Sequence, residues 1–428
     1  MPHPQNHEFI GGEILGKGGY GCVFRPQLAC RVPAKNAEKN AASAGISKLM
    51  TTHYAEREFA EYQDFKDDLM SIKNYQKYFI VDNVELCFPE NIPMKELKDS
   101  KKCDEILNIS RQNSSSVIGP MQPTSTFDEN AVSMKLNEDL KENKYSIINM
   151  PYGGISLFKW ITTRPNFGYK DIVWVNRKLR DVMEHAIKPL NARGVYHNDI
   201  KTDNLLVDGD NVRIIDWGLS YRYDGKNTPH QLTKSLLLFN LPFSNIVFSI
   251  KNIPSLYNKI RADEITDPAH QIQNLKEIIR EFIEDNGKGH FSYYVNVVFA
   301  AFFGNNSEDT FYTVVANYLQ PIFYAPRRKF EHFMRVDYFK LADIYGLFTT
   351  YYDLLELKIS PQTKFAIREF FVNYLWKNPI SLNKKIIFKY MRIIESTFKK
   401  KTQRGRRRAA ARAGGARNKT RRRRAGRI

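Results

Sequence analysis

Asp199, Lys201 and Asn204 lie in one short stretch, His197-Asn198-Asp199-Ile200-Lys201-Thr202-Asp203-Asn204, and Asp216-Trp217-Gly218 follows, with Asp216 twelve positions after Asn204. One carboxylate can orient and deprotonate a hydroxyl, and a second can hold a metal cation across phosphates. A carboxamide supplies a neutral metal ligand, and an amine balances the charge that shifts on a transferred phosphoryl group. Such a set suits phosphoryl transfer from a nucleotide, where catalysis is mostly positioning and charge neutralisation. The bland alternative is an Asx-rich turn between two buried strands. It accounts for the residue types but not for the spacing or the flanking apolar runs Leu205-Leu206-Val207 and Val212 to Ile215.

These groups need a scaffold, and the chain supplies patterns for one. Phe9-Ile10, Gly16-Lys17-Gly18-Gly19-Tyr20-Gly21 and Cys22-Val23-Phe24 read as strand, glycine turn and strand. Glycines there let backbone amides lie close over phosphates, which a Cβ would obstruct. A lone G-x-G-x-x-G is a weak signal, since dinucleotide folds share it, but those place a helix next rather than a strand. A helix is expected from His53 to Met70, with Glu58, Tyr62 and Phe65 at i, i+4, i+7, so Glu58 sits at the edge of a buried face. Tyr78 to Phe88 reads as strand and Asn91 to Lys144 as a polar loop insertion with partial disorder. Tyr145 to Met150 reads as a buried strand broken by Pro151-Tyr152-Gly153-Gly154, then helices follow over Leu157 to Trp160 and Val173 to Arg193. Residues Gln362 to Lys400 read as terminal helices.

The chemistry-bearing segment resembles the catalytic loop and metal motif of eukaryotic-type protein kinases, His-Arg-Asp-Leu-Lys-x-x-Asn and Asp-Phe-Gly. The resemblance implies an α+β, bilobal fold with a small β-rich N-lobe and a large, mainly helical C-lobe. It also implies ATP and Mg2+ as cofactors and a protein substrate. Asp199 then corresponds to the catalytic base, Lys201 to the lysine on the transferred phosphate, and Asn204 and Asp216 to the Mg2+ ligands. Gly16, Gly18 and Gly21 would cover the phosphates, and Val23 and Leu206 are counted with the nucleotide-binding residues. Ile46-Ser47-Lys48-Leu49-Met50 resembles the strand whose lysine pairs the α- and β-phosphates, with Lys35 and Lys39 as competitors in a polar stretch. Glu58 is taken as the partner of Lys48, with Glu56 and Glu61 as alternatives. Pro151 and Gly153 would face the adenine edge with Met150 behind it.

Departures from that pattern carry information. Asn198 replaces the arginine that reads a phosphate on the activation loop, which argues against phosphorylation there as the main switch. Trp217 replaces Phe, and no Ala-Pro-Glu occurs; Asn240-Leu241-Pro242-Phe243-Ser244 sits where its counterpart would be. Lys201, two after the base, is the serine/threonine form. Lys340 to Leu347 is similar to the opening of the large-lobe central helix, whose aspartate would be Asp343, although a capping acid at a helix N-terminus explains Asp343 as well. The stretch from Asp216 to Asp343 is several dozen residues longer than the family's, and the surplus is assigned to an insertion at about 255–335. Ser47-Lys48-Leu49, Pro151 to Gly154 and Asn240 to Ser244 together resemble the kinases of large double-stranded DNA viruses.

The expected organisation is therefore an N-lobe at 1–150 with its insertion at about 91–144, a C-lobe at 151–400, and a disordered basic tail at 401–428. Of the net charge of +19, 15 Lys or Arg lie between Lys399 and Ile428, where there is no acid, leaving 50 basic against 46 acidic residues elsewhere. Such a tail suits non-specific contact with nucleic acid or another polyanion, or import-receptor recognition. It has no interleaved aromatics for base stacking. The most apolar windows, Leu236 to Ile250 and Tyr293 to Phe303, are too short or broken to span a membrane. Four cysteines without metal spacing suggest a reduced, intracellular protein: host cytoplasm, nucleus or virion if viral. The oligomeric state is open. Rival readings are a small-molecule or RNA phosphotransferase of the same fold and a scaffold that has lost catalysis.

Overall fold

The computed structural model describes residues 13–18, 21–32, 45–92, 138–233, 236–249, 257–258, 260–261, 265–286, 288–377 and 382–398. The basic tail, most of the 91–144 insertion, Phe9-Ile10, and Lys35 and Lys39 lie outside these residues. The chain falls into two compact units, Met1–Gly154 and Ile155–Ile428.

The first unit is a five-stranded antiparallel sheet, β1 (Glu13–Gly18), β2 (Gly21–Arg25), β3 (Gly45–Thr51), β4 (Glu85–Cys87) and β5 (Tyr145–Pro151), in the order β1-β2-β3-β5-β4. Strand β3 buries Ser47, Leu49 and Met50, while Lys48 is only half-buried. Helix α1 (Thr52–Met70) buries Ala55, Tyr62, Phe65 and Leu69, a helical spacing that leaves the charged residues outward. The expected strand over Tyr78 to Phe88 is largely not a strand: only Glu85–Cys87 pairs with β5. Tyr78, Phe79 and Val81 are buried, and the Tyr62 hydroxyl donates to the Val81 carbonyl. Burial there comes from packing under α1 rather than from pleating.

The expectation of four reduced cysteines is corrected. Cys30 and Cys87 form a disulfide with Cα atoms 5.7 Å apart, inside the range that bridging requires, and Cys22 is also disulfide-bonded. The Cys30–Cys87 bridge lies beside the isolated Cys30–Pro89 β-bridge, and the Asn149 amide packs against the Cys30 sulfur at 3.4 Å.

The second unit is mainly helical. Its strands, β6 (Ile155–Ser156), β7 (Val195–Tyr196), β8 (Leu205–Asp208), β9 (Asn211–Ile214) and β10 (Tyr221–Arg222), form two small sheets, β6-β8-β9 and β7-β10. The β8–β9 hairpin turns through Gly209 at φ +59, a left-handed position that glycine adopts freely. Helix α2 (Tyr169–Val182) continues through a π turn to Asn191 and delivers the chain to β7. Helix α3 (Pro268–Asn286), helix α4 (Ser307–Phe323), helix α5 (Tyr338–Phe348) and helix α6 (Pro361–Phe370) build the body.

Within the stretch expected as an insertion, about 255–335, the described residues are mainly helical and supply much of the core. Tyr294, Phe299 and Phe311 pack on one another and on Phe243 or Trp376, with the Phe299 and Trp376 rings stacked at 4.9 Å. Both apolar windows are core: Leu237, Leu241, Phe243, Val247, Tyr294 and Val298 are buried. No helix among the described residues is long and apolar enough to cross a membrane.

Candidate active site

In the first unit, strand pairing fixes the groups that sequence reasoning assigned to a nucleotide. Val23 stands opposite Lys48, and Met150 opposite Ile46. Gly18 pairs with Gly21, and Gly19 and Tyr20 lie outside the described residues. Gly16 pairs with Val23 past a bulge. Gly21 has no room for a Cβ, which would stand 2.3 Å from the Leu49 carbonyl oxygen. The Lys48 ammonium lies 2.6 Å from both carboxylate oxygens of Glu58, with both side chains largely buried. Glu61 instead binds Arg57 at 2.9 Å, and Glu56 is exposed. Pro151 ends β5, Gly153 is buried, and Gly154 turns the chain at φ +102.

In the second unit, the loop after β7 is held from several sides. Asp343, buried in the middle of α5, accepts the backbone N–H of His197 at 3.0 Å and of Asn198 at 2.8 Å. The Asn191 amide, oriented to donate, lies 2.9 Å from the same carboxylate. Its interior helical position rules out the capping role. Burial raises the Asp343 carboxyl, while His197 and the two backbone donors oppose that rise. Asn198 adopts φ +60, a left-handed conformation that Asn tolerates better than most residues. Helix α5 approaches this closely because Gly346 has no Cβ, which would meet the Ile200 carbonyl at 2.6 Å and the Asn240 carbonyl at 2.8 Å.

The carboxylate of Asp199 has three donors. Lys201 Nζ reaches Oδ2 at 2.7 Å, Asn204 Nδ2 reaches Oδ2 at 2.9 Å, and Asn240 Nδ2 reaches Oδ1 at 2.7 Å. His197 accepts the Asp199 N–H at Nδ1, so its proton sits on Nε2, which donates to the Ile215 carbonyl at 3.0 Å. The Ile215 N–H in turn donates to the Asn204 carbonyl at 3.0 Å. Loop and following strand are thereby tied together next to Asp216. Trp217 is buried edge-on to His197 at 4.8 Å, filling the place expected of an aromatic.

The donor set suits Mg2+. Asp216 is exposed at φ +70, and its carboxylate makes no ion pair or hydrogen bond among the described residues. Asn204 spends its amide nitrogen on Asp199, leaving Oδ1, the atom a hard cation takes, on the other side of the carboxamide. No group of three or more His, Cys, Asp or Glu that could hold a metal occurs among the described residues. Mg2+ is ordinarily held by one or two protein oxygens with water and phosphate supplying the rest. Leu206, on β8, stands opposite Ser156 and Arg213.

Three contributors had no local signature in the sequence. Asn240, 41 positions from Asp199, bonds its carboxylate. His290 packs on Phe239, and burial, then the charge of Lys201, lowers its pKa. Asp353, buried in the helical turn Thr350–Asp353, has its carboxyl pushed up to about 8 by burial, with Thr202 of the loop opposing that rise.

A protein kinase domain model matches residues 92–237, about a third of the chain. The match includes the loop and Asp216 and begins after the glycine turn, Lys48 and Glu58. The chain is 37% identical over 101 residues to the 040L protein of Invertebrate iridescent virus 3, named as a serine/threonine-protein kinase, covering 20% of this chain and 30% of that protein. It is 29% identical over 139 residues to CBL-interacting protein kinase 3 of Oryza sativa subsp. japonica, covering 26% and 31%. It is 28% identical over 148 residues to CBL-interacting serine/threonine-protein kinase 12 of Arabidopsis thaliana, covering 28% and 30%. The matches thus span less than a third of each relative.

Proposed function

The chain carries a divergent protein kinase domain of the eukaryotic type, and from that premise we propose that it transfers phosphate from ATP to serine or threonine hydroxyls of a protein, with Mg2+ required. The observation that carries the reading is the carboxylate of Asp199, held by Lys201, Asn204 and Asn240 on a loop whose backbone Asp343 fixes. In this reading Asp199 accepts the proton of the attacking hydroxyl. Lys201, whose ammonium already sits at that carboxylate, balances charge on the transferred group. Asn204 and Asp216 hold the metal, which when bound neutralises phosphate charge. Lys48, kept extended by Glu58, serves the α- and β-phosphates, and Gly16, Gly18 and Gly21 give the phosphates backbone amides. Val23, Met150, Pro151, Gly153 and Leu206 are assigned to the rest of the nucleotide. Residues 399–428 are assigned electrostatic contact with a polyanion, on charge alone.

Incubation with labelled ATP, Mg2+ and a basic protein acceptor tests this. Wild-type protein should label serine or threonine, and Asp199→Ala and Asp216→Ala should each lose at least about 100-fold in rate. Phosphate appearing on small molecules alone would place the chain with other phosphotransferases of the fold. No labelling of any acceptor, together with no thermal stabilisation by Mg-ATP, would leave a scaffold.

A further inference from the structure

Asn240 is almost fully buried, yet only its amide nitrogen is used. Nδ2 bonds Asp199 Oδ1 at 2.7 Å and the Ile200 carbonyl at 3.3 Å, while Oδ1 is buried with no hydrogen-bond partner among the described residues. A buried amide oxygen without a partner is unfavourable, and the backbone from which the amide reaches is fixed by other groups. The holder is visible one residue earlier. The Phe239 N–H donates to His290 Nδ1 at 3.2 Å, the His290 N–H donates to the Leu237 carbonyl at 2.8 Å, and the Tyr294 hydroxyl donates to the Phe239 carbonyl at 3.2 Å. The Phe239 ring lies 5.0 Å from those of both His290 and Tyr293. Gly289 permits the approach: at φ +46, a Cβ there would stand 2.5 Å from the Leu237 carbonyl.

We propose that His290 and Asn240 act in series as positioning residues for Asp199: His290 accepts the Phe239 N–H and so fixes the backbone from which Asn240 reaches the carboxylate. The inference rests on the reading of Asp199 as the proton acceptor. Residues 288–294 belong to the stretch that makes this chain longer than the family pattern, so part of the order of the site comes from that stretch. Acceptance at Nδ1 requires the neutral ring, whose proton is then on Nε2.

The experiment is steady-state phosphoryl transfer by the full chain, with thermal unfolding of each variant as the folding control. Asn240→Ala should lower kcat about 10- to 100-fold, the scale of a small misplacement of a reacting group, with KM for ATP within about twofold. His290→Ala should lower kcat in the same way. His290→Asn, whose Oδ1 takes the place of Nδ1, should restore most of the loss. The double variant His290→Ala with Asn240→Ala should be no slower than Asn240→Ala alone, because residues acting through one contact do not add. If Asn240→Ala does not fold, the His290→Ala and His290→Asn comparison decides alone. Wild-type kcat in His290→Ala, failure of Asn to rescue, or multiplicative losses in the double variant would overturn the inference. Absence of transfer by wild-type protein would instead overturn the kinase reading.

Discussion

Asp343→Asn is the most discriminating single substitution in this molecule, because it keeps shape and burial and removes only a charge and an acceptor. The carboxylate is 2% exposed and takes N–H groups from His197 at 3.0 Å and Asn198 at 2.8 Å on its two oxygens. An asparagine has one oxygen, so one backbone N–H faces an NH2 group instead. A hydrogen bond to a charged acceptor contributes about 1.5–3 kcal/mol, and a stranded buried donor costs about 1–3 kcal/mol more. The two effects overlap, so a loss of roughly 2–4 kcal/mol is expected. For a unit of this size that lowers the unfolding midpoint by on the order of 10 °C. The kinetic effect is separable. The freed N–H belongs to the loop that carries Asp199, two residues on from His197, and to Asn198 in its left-handed conformation. A displacement of about 1 Å there costs up to about 100-fold in kcat, while KM for ATP should stay within about twofold. The assay is labelled-phosphate transfer at a temperature well below both unfolding midpoints. An acid acting only as a helix cap would cost about 1 kcal/mol and leave turnover alone. Wild-type kcat in well-folded Asp343→Asn protein would therefore refute the claim that α5 sets the loop.

Two further outcomes follow from burial and cross-linking. The Cys30–Cys87 bridge closes 57 residues, which in the chain-entropy account contributes about 4 kcal/mol; the Cys30→Ser, Cys87→Ser double variant should unfold at clearly lower denaturant, and an unchanged first transition would count against a stabilising bridge. Asp353, with its carboxyl pushed up to about 8 from an ordinary 3.8, holds its proton better folded than unfolded. Its contribution is complete below the unfolded value and is lost as pH rises through about 8. Asp353→Asn should thus flatten the stability profile between about pH 4 and pH 8 and exceed wild type above it; a profile with unchanged slope would refute this.

What could be read from sequence was what chemistry forces to be local. Asp199, Lys201 and Asn204 must share one loop to converge, so their spacing is visible in the chain, and the α+β architecture follows from the patterns around them. Glu58 was legible as a residue at the edge of a buried helical face because helical periodicity is a short-range rule, and the fold puts its carboxylate 2.6 Å from Lys48. Tyr78 to Phe88 misled for the converse reason: buried aromatics in an irregular segment under a helix carry the same apolar signal as a pleated strand, and only the ladder tells them apart. The Cys30–Cys87 pair could not be read because spacing does not determine connectivity.

The second layer of the site escaped sequence reasoning for a deeper reason. Apart from Asp343, which the resemblance had already offered, its members act over distance: Asn240 reaches the Asp199 carboxylate across 41 positions and His290 reaches Phe239 across 51, and a hydrogen bond over such a separation leaves no periodic trace. Nor is any one side chain required there, since a backbone N–H needs only an acceptor and a carboxylate only a donor. Reacting groups are constrained in type, but their supports are constrained only in geometry. Sequence departures from the family pattern should therefore gather in the supports, and Asn198, Asn240 and the His290 segment are where this chain departs. On the proposed assignment, those departures are part of the frame that holds Asp199, Lys201 and Asn204.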